Sequence, residues 1–218
     1  HRINAIYQDN FKIIWIGTAQ GGINKLDVNQ KNFYNFSNNP YNDFSLPDNL
    51  ITSILEDSKG RIWVSGYNKK LSRTTGKINS SNISSLNFEN IENSIPIETT
   101  DIIRCIYEDK KGFIWLGSDQ SVFVYNPENK KIKRVFFSNN NYQSVGFVRV
   151  IEQINDNEIL FAGNKIIIVN NPWQNLNNAI PELSIKFITN LQEGNVQAFQ
   201  KGSNNQLWFG TNKGLYQC

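Results

Sequence analysis

The chain has 218 residues, and 22 Lys and Arg against 19 Asp and Glu leave a net charge of +3. The cationic residues are scattered singly or paired at turns (Lys69-Lys70, Lys110-Lys111, Lys130-Lys131), the pattern of solvated turns rather than of a nucleic-acid-binding face. A single histidine, His1, and two cysteines, Cys105 and Cys218, build neither a zinc site nor a disulfide framework, and no run approaches the roughly 18 apolar residues of a membrane span. Neither metal nor cofactor is expected, and no signal peptide is read, although a secreted or membrane-anchored parent remains compatible with the chain.

In chain order, one phrase returns five times at a spacing of about 45–50 residues, the mark of a repeat architecture. It starts at Ile3, Ile51, Ile102, Val148 and Val196, and the copies align on Trp15, Trp63, Trp115, Leu160 and Trp208. The first repeat opens with a strand built on Ile3 and Ile6. Its counterparts are Ile51 and Ile54, Ile103 and Ile106, Val148 and Ile151, and Val196 and Phe199. The position between them is small in most copies (Ala5, Ser53, Cys105, Val150, Ala198), so Cys105 reads as a small buried filler.

A tight hairpin follows. Asp9, Asp57 and Asp109 stand six residues before the tryptophan, where a carboxylate accepts backbone hydrogen bonds at the turn start. Gly60, Gly112, Asn157 and Asn205 stand three before it, where φ > 0 is expected, and Lys12 is the exception in the first copy. The second strand (13–17, 61–65, 113–117, 158–162, 206–210) carries the tryptophan. Two residues on comes a small side chain: Gly17, Ser65, Gly117, Ala162 or Gly210. A large ring beside an obligatory small residue is what close sheet-on-sheet packing needs, so the tryptophans belong to an inter-sheet core. Third strands are expected at 22–27, 70–75, 122–126, 166–170 and 214–218. Fourth strands are expected at 32–37, 83–88, 133–137 and 184–189, and the fifth repeat stops before its own.

Four short strands per repeat describe a β-propeller blade, so the fold class is all-β: a β-propeller segment of about 4.5–5 four-stranded antiparallel blades. The whole chain, 1–218, reads as one segment with blades at about 1–37, 50–88, 101–137, 147–189 and 195–218, the last incomplete. An α-solenoid is excluded by the absence of a 3.6-residue apolar period.

The phrase I-x-x-I-x-E-D-x-x-G-x-I-W-[IVL]-G-T, followed by G-[IL]-x-x-[LY]-[DN], resembles the two-component regulator propeller repeat. The linker before Ile51 is similar to the inter-blade linker of the same family. The resemblance covers nearly the whole chain. It implies the periplasmic sensor region of a hybrid two-component histidine kinase of the Bacteroidetes, a larger and usually seven-bladed propeller, and oligosaccharide or glycan fragments as ligands. It also implies that the membrane is reached only through the rest of the parent sensor. The chain carries no kinase motif of its own.

The conspicuous acids, Glu56-Asp57 and Glu108-Asp109, recur once per repeat at a hairpin corner, so they read as a turn-capping Asp beside a solvated Glu rather than as a glycosidase pair. Trp173, outside the motif, reads as packing over an outer blade edge, with an exposed binding anchor as the alternative. The candidate ligand residues are unrepeated polar groups on loops expected to converge on one face. They are Tyr67, Asn68 and Lys69; Asp119 and Gln120; Asn164 and Lys165; Asn212 and Lys213; Ala19 and Gln20; and, from the crossovers, Tyr41, Phe44 and Tyr142. Asn4, Thr52, Arg104, Arg149 and Gln197, near the starts of the first strands, are expected to point into a central channel. Two arginines with amides and tyrosines suit a polar or anionic carbohydrate. A non-catalytic protein-interaction scaffold is the alternative function, and a glycan-active enzyme using Glu152 and Asp119 is the weaker one. The uncovered outer blades predict self-association.

Overall fold

The structure, a computed structural model, describes residues 2–27, 32–68, 71–78, 86–91, 101–138, 142–143, 146–178, 181–190, 194–203 and 206–218. It divides into two compact units, His1–Glu108 and Asp109–Cys218.

The first unit holds two four-stranded antiparallel sheets in chain order. One is β1 (Ile3–Gln8), β2 (Ile13–Thr18), β3 (Ile23–Asp27) and β4 (Asn32–Phe36); the other is β5 (Ile51–Glu56), β6 (Ile62–Gly66), β7 (Leu71–Thr74) and β8 (Phe88–Asn90). β9 (Ile103–Glu108) ends the unit. The first strands lie against one another, β1 on β5 and β5 on β9, which makes them the inner strands of adjoining blades. The fourth strand expected at 83–88 is instead Phe88–Asn90, and 79–85 lie outside the described residues.

The second unit begins with β10 (Ile114–Ser118), β11 (Val122–Asn126), β12 (Lys131–Ser138) and the short β13 (Tyr142–Gln143). A sheet of β14 (Val148–Asn155), β15 (Glu158–Gly163), β16 (Lys165–Asn170) and β17 (Glu182–Asn190) follows. The last sheet has three strands, β18 (Val196–Lys201), β19 (Leu207–Thr211) and β20 (Gly214–Gln217), so the fifth blade lacks a fourth strand among the described residues. One feature departs from separate blades: β12 pairs in parallel with β17 (Phe136 opposite Glu182, Phe137 opposite Leu183), and two outer edges thereby cover each other.

The recurrent Asp organises each hairpin more completely than turn capping requires. One carboxylate oxygen of Asp9 accepts from the amides of Phe11 and Ile13, both at 2.9 Å, and the other accepts from the Trp15 indole at 2.9 Å. Asp57 repeats this with Lys59, Arg61 and Trp63, and Asp109 with Lys111, Phe113 and Trp115. The left-handed position is taken by Lys12 (φ 63), Gly60 (φ 72) and Gly112 (φ 81). The ring is thus held by its polar end while its apolar body is wholly buried at Trp15, Trp63 and Trp115. Asn205 lies outside the described residues.

The glutamates before the Asp are not merely solvated. Glu56 accepts from the Tyr7 hydroxyl at 3.0 Å and from the Asn10 amide. Glu108 accepts from both the amide and the hydroxyl of Ser58. In the second unit, Gln153 accepts from the Lys110 amide at 3.0 Å. In each case the residue before the turn-start position (Asp57, Asp109, Ile154) reaches the residue just after the Asp of the preceding repeat, so this position is a blade-to-blade latch. Cys105 is half-buried rather than buried.

Candidate functional site

Backbone hydrogen bonds bring the second-to-third-strand turns to the chain that leads into each first strand. The amides of Ala19, Tyr67, Asn164 and Asn212 donate to the carbonyls of Arg2 (2.8 Å), Leu50 (2.8 Å), Phe147 (3.3 Å) and Asn195 (3.4 Å). Turns and lead-ins therefore share one end of each sheet, next to the first-strand starts. A hydroxyl at the end of the second strand shapes several of these turns. Thr18, Ser118 and Thr211 donate to the carbonyls of Gly22, Ser121 and Gly214, and Gln20 adopts φ 82.

The first strands carry a bulge where sequence reading placed only a channel-facing side chain. The register slips between Ile3 and Ala5, Ile51 and Ser53, Val148 and Val150, and Val196 and Ala198. The skipped residues are Asn4, Thr52, Arg149 and Gln197, and a bulge re-aims such a side chain. Two of the four are already engaged in the framework, against expectation. Asn4 donates to the Ile51 carbonyl at 2.9 Å, and Thr52 bonds the Ser65 carbonyl and hydroxyl at 3.1 and 2.8 Å.

The arginines stand differently. In the first unit the Arg104 guanidinium lies 5.8 Å from the centroid of the exposed Tyr67 ring. In the second, the exposed Arg149 lies 5.0 Å from the Phe147 ring. Each is a planar cation beside an aromatic face at a first-strand start. Near Arg149, the Asn164 side chain sits against Gly146 (φ 66); at the corresponding turn of the next repeat Asn212 accepts from the Asn195 amide at 2.8 Å, with Lys213 beside Gly194. Lys165 opens β16, and Asp119 and Gln120 occupy the turn before β11. Lys69 and the side chain of Tyr142 lie outside the described residues. The Phe88 amide of β8, a fourth strand, donates to the Phe44 carbonyl, and Tyr41 is 97% exposed on a loop braced by Asn39, Asn42 and Ser45.

Sequence reading missed Asp48 and Phe147. Buried Asp48 accepts from the amides of Leu50 (2.9 Å) and Asn68 (2.7 Å), fixing the turn that presents Tyr67. Its signal was the Pro-Asp-Asn-Leu lead-in; that of Phe147 was its place just before Val148. Trp173 packs on the hairpin turn at Asp109 rather than over an outer blade edge. Its indole donates to Asp109 at 2.7 Å, and the Lys111 ammonium lies 4.2 Å from its ring centroid. An apolar cleft of about 350 Å³ between β15–β17 and β19–β20, lined by Leu160, Ile168, Phe187, Phe209 and Tyr216, has little to offer a polar ligand.

The weaker catalytic reading needs Glu152 and Asp119 together. Burial raises the Glu152 carboxyl, opposed by Lys201. Glu152 stands opposite Leu160, four residues below the end of β14 that meets the turns, or about 13 Å of strand. Paired glycosidase carboxylates stand roughly 5–9.5 Å apart. Among the described residues no group of three or more His, Cys, Asp or Glu forms a metal-binding cluster.

Burial pushes the Asp57 carboxyl up, but hydrogen bonds from the Arg61 side chain, the Trp63 indole and the Arg61 amide outweigh it and hold the group below its ordinary range. A carboxyl depressed on folding stabilises above its unfolded pKa and loses that contribution as pH falls through the folded one. Thermal midpoints should therefore drop below about pH 4, and Asp57→Asn should flatten that limb. An unchanged acid limb in the variant would remove Asp57 from the account.

The two-component regulator propeller model matches residues 1–20, 45–68 and 98–120, the first three copies of the phrase. A comparison with curated proteins finds no match. Among solved structures, the extracellular domain of a one-component system from B. thetaiotaomicron superposes with a TM-score of 0.71 at 19% identity, over 99% of this chain and 27% of that one. The extracellular domain of a hybrid two-component system from the same organism gives 0.52 at 21%, over 99% and 33%. PorZ, a surface component of the type-IX secretion system of Porphyromonas gingivalis, gives 0.72 at 18%, over 98% and 31%. The chain thus spans between about a quarter and a third of the length of these proteins, and identities this low establish the β-propeller fold. Phrase, blades and family match converge: the chain is a β-propeller segment, and its first three repeats match the two-component regulator propeller model.

Proposed function

We propose that this segment is part of the extracytoplasmic, non-catalytic sensing propeller of a hybrid two-component system, and that its ligand is an oligosaccharide or glycan fragment. The observation carrying this reading is the pair Arg104–Tyr67 and Arg149–Phe147: at equivalent first-strand starts, a guanidinium lies beside an aromatic ring. A guanidinium offers bidentate bonds to sugar hydroxyls or carboxylates, and ring faces stack on pyranose C–H surfaces. Asn164 borders the second pair through Gly146 and Phe147, and Lys165, Asn212, Lys213, Asp119 and Gln120 lie on turns of the same class. The family repeat and the extracellular solved domains support a periplasmic location, with the parent sensor supplying the membrane helix and the histidine kinase. Ligand binding would shift the balance between two arrangements of the parent, which the membrane helix relays to regulate transcription.

Calorimetric titration of an oligosaccharide panel should give saturable binding, weakened at least about tenfold, or 1.4 kcal/mol, by Arg104→Ala or Arg149→Ala. A panel with no saturable ligand, or binding indifferent to both substitutions, would sink the reading.

A further inference from the structure

Asn171, Pro172, Trp173 and Gln174 open the loop between β16 and β17 of the second unit, and no other repeat places a tryptophan there. Three anchors fix this loop. The Trp173 indole donates to the buried Asp109 carboxylate at 2.7 Å, and the Asn175 side-chain amide donates to the Glu182 carbonyl at 3.1 Å. The Lys133 ammonium donates to the carbonyls of Leu176, Asn177 and Asn178 at 3.1, 3.2 and 2.6 Å. At the loop's start the Asn171 amide donates to the Asn157 carbonyl at 2.7 Å, with Asn171 in the left-handed region (φ 48). A loop held at this many points has little ordering left to lose when a ligand arrives.

Lys111, Asn171, Trp173 and Gln174 line an open pit of about 300 Å³. That is the lower end of small-ligand pockets, with room for one ring and its substituents. The Lys111 ammonium lies 4.2 Å from the Trp173 ring centroid and that of Lys110 lies 5.7 Å from it. The two cations differ in what balances them. Lys110 pairs with Asp156 at 2.8 Å, whereas Lys111 has no carboxylate partner among the described residues. The Asp109 carboxylate is already taken by four donors. The exposed side-chain amides of Asn171 and Gln174 also make no hydrogen bond among the described residues. Anchoring the loop accounts for the Trp173–Asp109 bond. It does not account for a ring-held cation and two unspent amides around one pit.

We propose that this pit binds an acidic sugar, one pyranose ring bearing a carboxylate or a sulfate. Lys111 pairs with the anionic group. A lysine is a point charge with three rotatable donors, so it serves a planar or a tetrahedral anion alike. Asn171 and Gln174 each offer two donors and an acceptor to neighbouring hydroxyls, and the indole supplies an apolar wall to the ring. An extended acidic peptide would need a run of unpaired cations, and Lys110 is already paired. The arginines lie elsewhere. Val148 stands opposite Gly163 and Asn170 opposite Glu158, so about 17 Å of β15 separates this loop from the strand start that carries Arg149. The two sites stand or fall separately.

Titrating the isotope-labelled chain with glucuronate and with glucose 6-sulfate, followed by amide NMR shifts, tests this. At least one should give saturable shifts at Lys111, Asn171 and Gln174, and the tighter of the two names the anionic group. Glucose and inorganic sulfate should each bind at least about tenfold more weakly, since each lacks half of the recognised chemistry. Lys111→Gln and Gln174→Ala alter exposed side chains that anchor nothing, so both should keep the spectrum of the folded chain. Lys111→Gln should weaken binding at least about tenfold, and Gln174→Ala by a smaller factor. Arg149→Ala should leave the affinity unchanged. No saturable shift with either acid, glucose or inorganic sulfate binding as tightly as the acids, affinity unmoved by Lys111→Gln, or affinity lost in Arg149→Ala would each overturn the proposal.

Discussion

Replacing Asp109 with alanine should cost about 3–5 kcal/mol of stability. The buried carboxylate accepts four hydrogen bonds, from the amides of Lys111 and Phe113 and from the indoles of Trp115 and Trp173. Alanine leaves four donors without their acceptor in a region closed by the Trp115 ring, and a buried donor left unpaired costs about 1–3 kcal/mol before relaxation. The loss reaches beyond the hairpin, because the Trp173 bond ties the loop between β16 and β17 to the turn before β10. Asp109→Asn should fall between alanine and wild type, since an amide presents one acceptor oxygen and turns its own donors toward the others. Urea unfolding followed by tryptophan emission gives the values. A loss under about 1 kcal/mol for alanine would mean that the indoles find other partners and that the carboxylate is not the keystone of the turn.

Gly163→Ala should cost about 2–3 kcal/mol and also damage the Arg149 site. A Cβ at Gly163 would stand 1.7 Å from the Phe147 carbonyl oxygen, a backbone atom that cannot swing aside as a side chain can. Relief requires moving the lead-in to β14, which breaks the Asn164–Phe147 hydrogen bond and displaces both the Phe147 ring and the bulge at Arg149. The variant should therefore lose stability and, once an oligosaccharide ligand is in hand, lose affinity at least as far as Arg149→Ala does. Unchanged unfolding would show that β14 shifts freely, and a rigid first-strand start would then be the wrong description.

The hairpin residues were legible in the sequence because their chemistry is local. Asp57, Gly60 and Trp63 lie within seven residues, and turn geometry, carboxylate capping and ring burial act at that range. The bulges were not legible. Asn4 and Arg149 occupy equivalent positions, yet one is consumed by the Ile51 carbonyl and the other stands exposed beside Phe147. Nothing in either residue's neighbours along the chain distinguishes them. The glutamates were misread for the same reason: Glu108 looks solvated until Ser58, 50 residues earlier, is brought to it. Trp173 reads as an isolated aromatic until Asp109, 64 residues away, receives its indole.

The amino-acid sequence by itself determined the repeat, the all-β blade and its strand order, because period, alternation and turn chemistry are properties of neighbouring residues. It also marked out the arginines and the turn residues as the unrepeated polar set. Only the tertiary structure decided that Asn4 and Thr52 bond the framework while Arg104 and Arg149 stand beside aromatic rings, and that the outer edges of β12 and β17 cover each other. It alone decided that Ile51 is sealed while Ile3, at the same position of its repeat, is exposed. The physical reason is that burial and long-range hydrogen bonding depend on what the next blade places opposite, and a residue's own repeat does not carry that information.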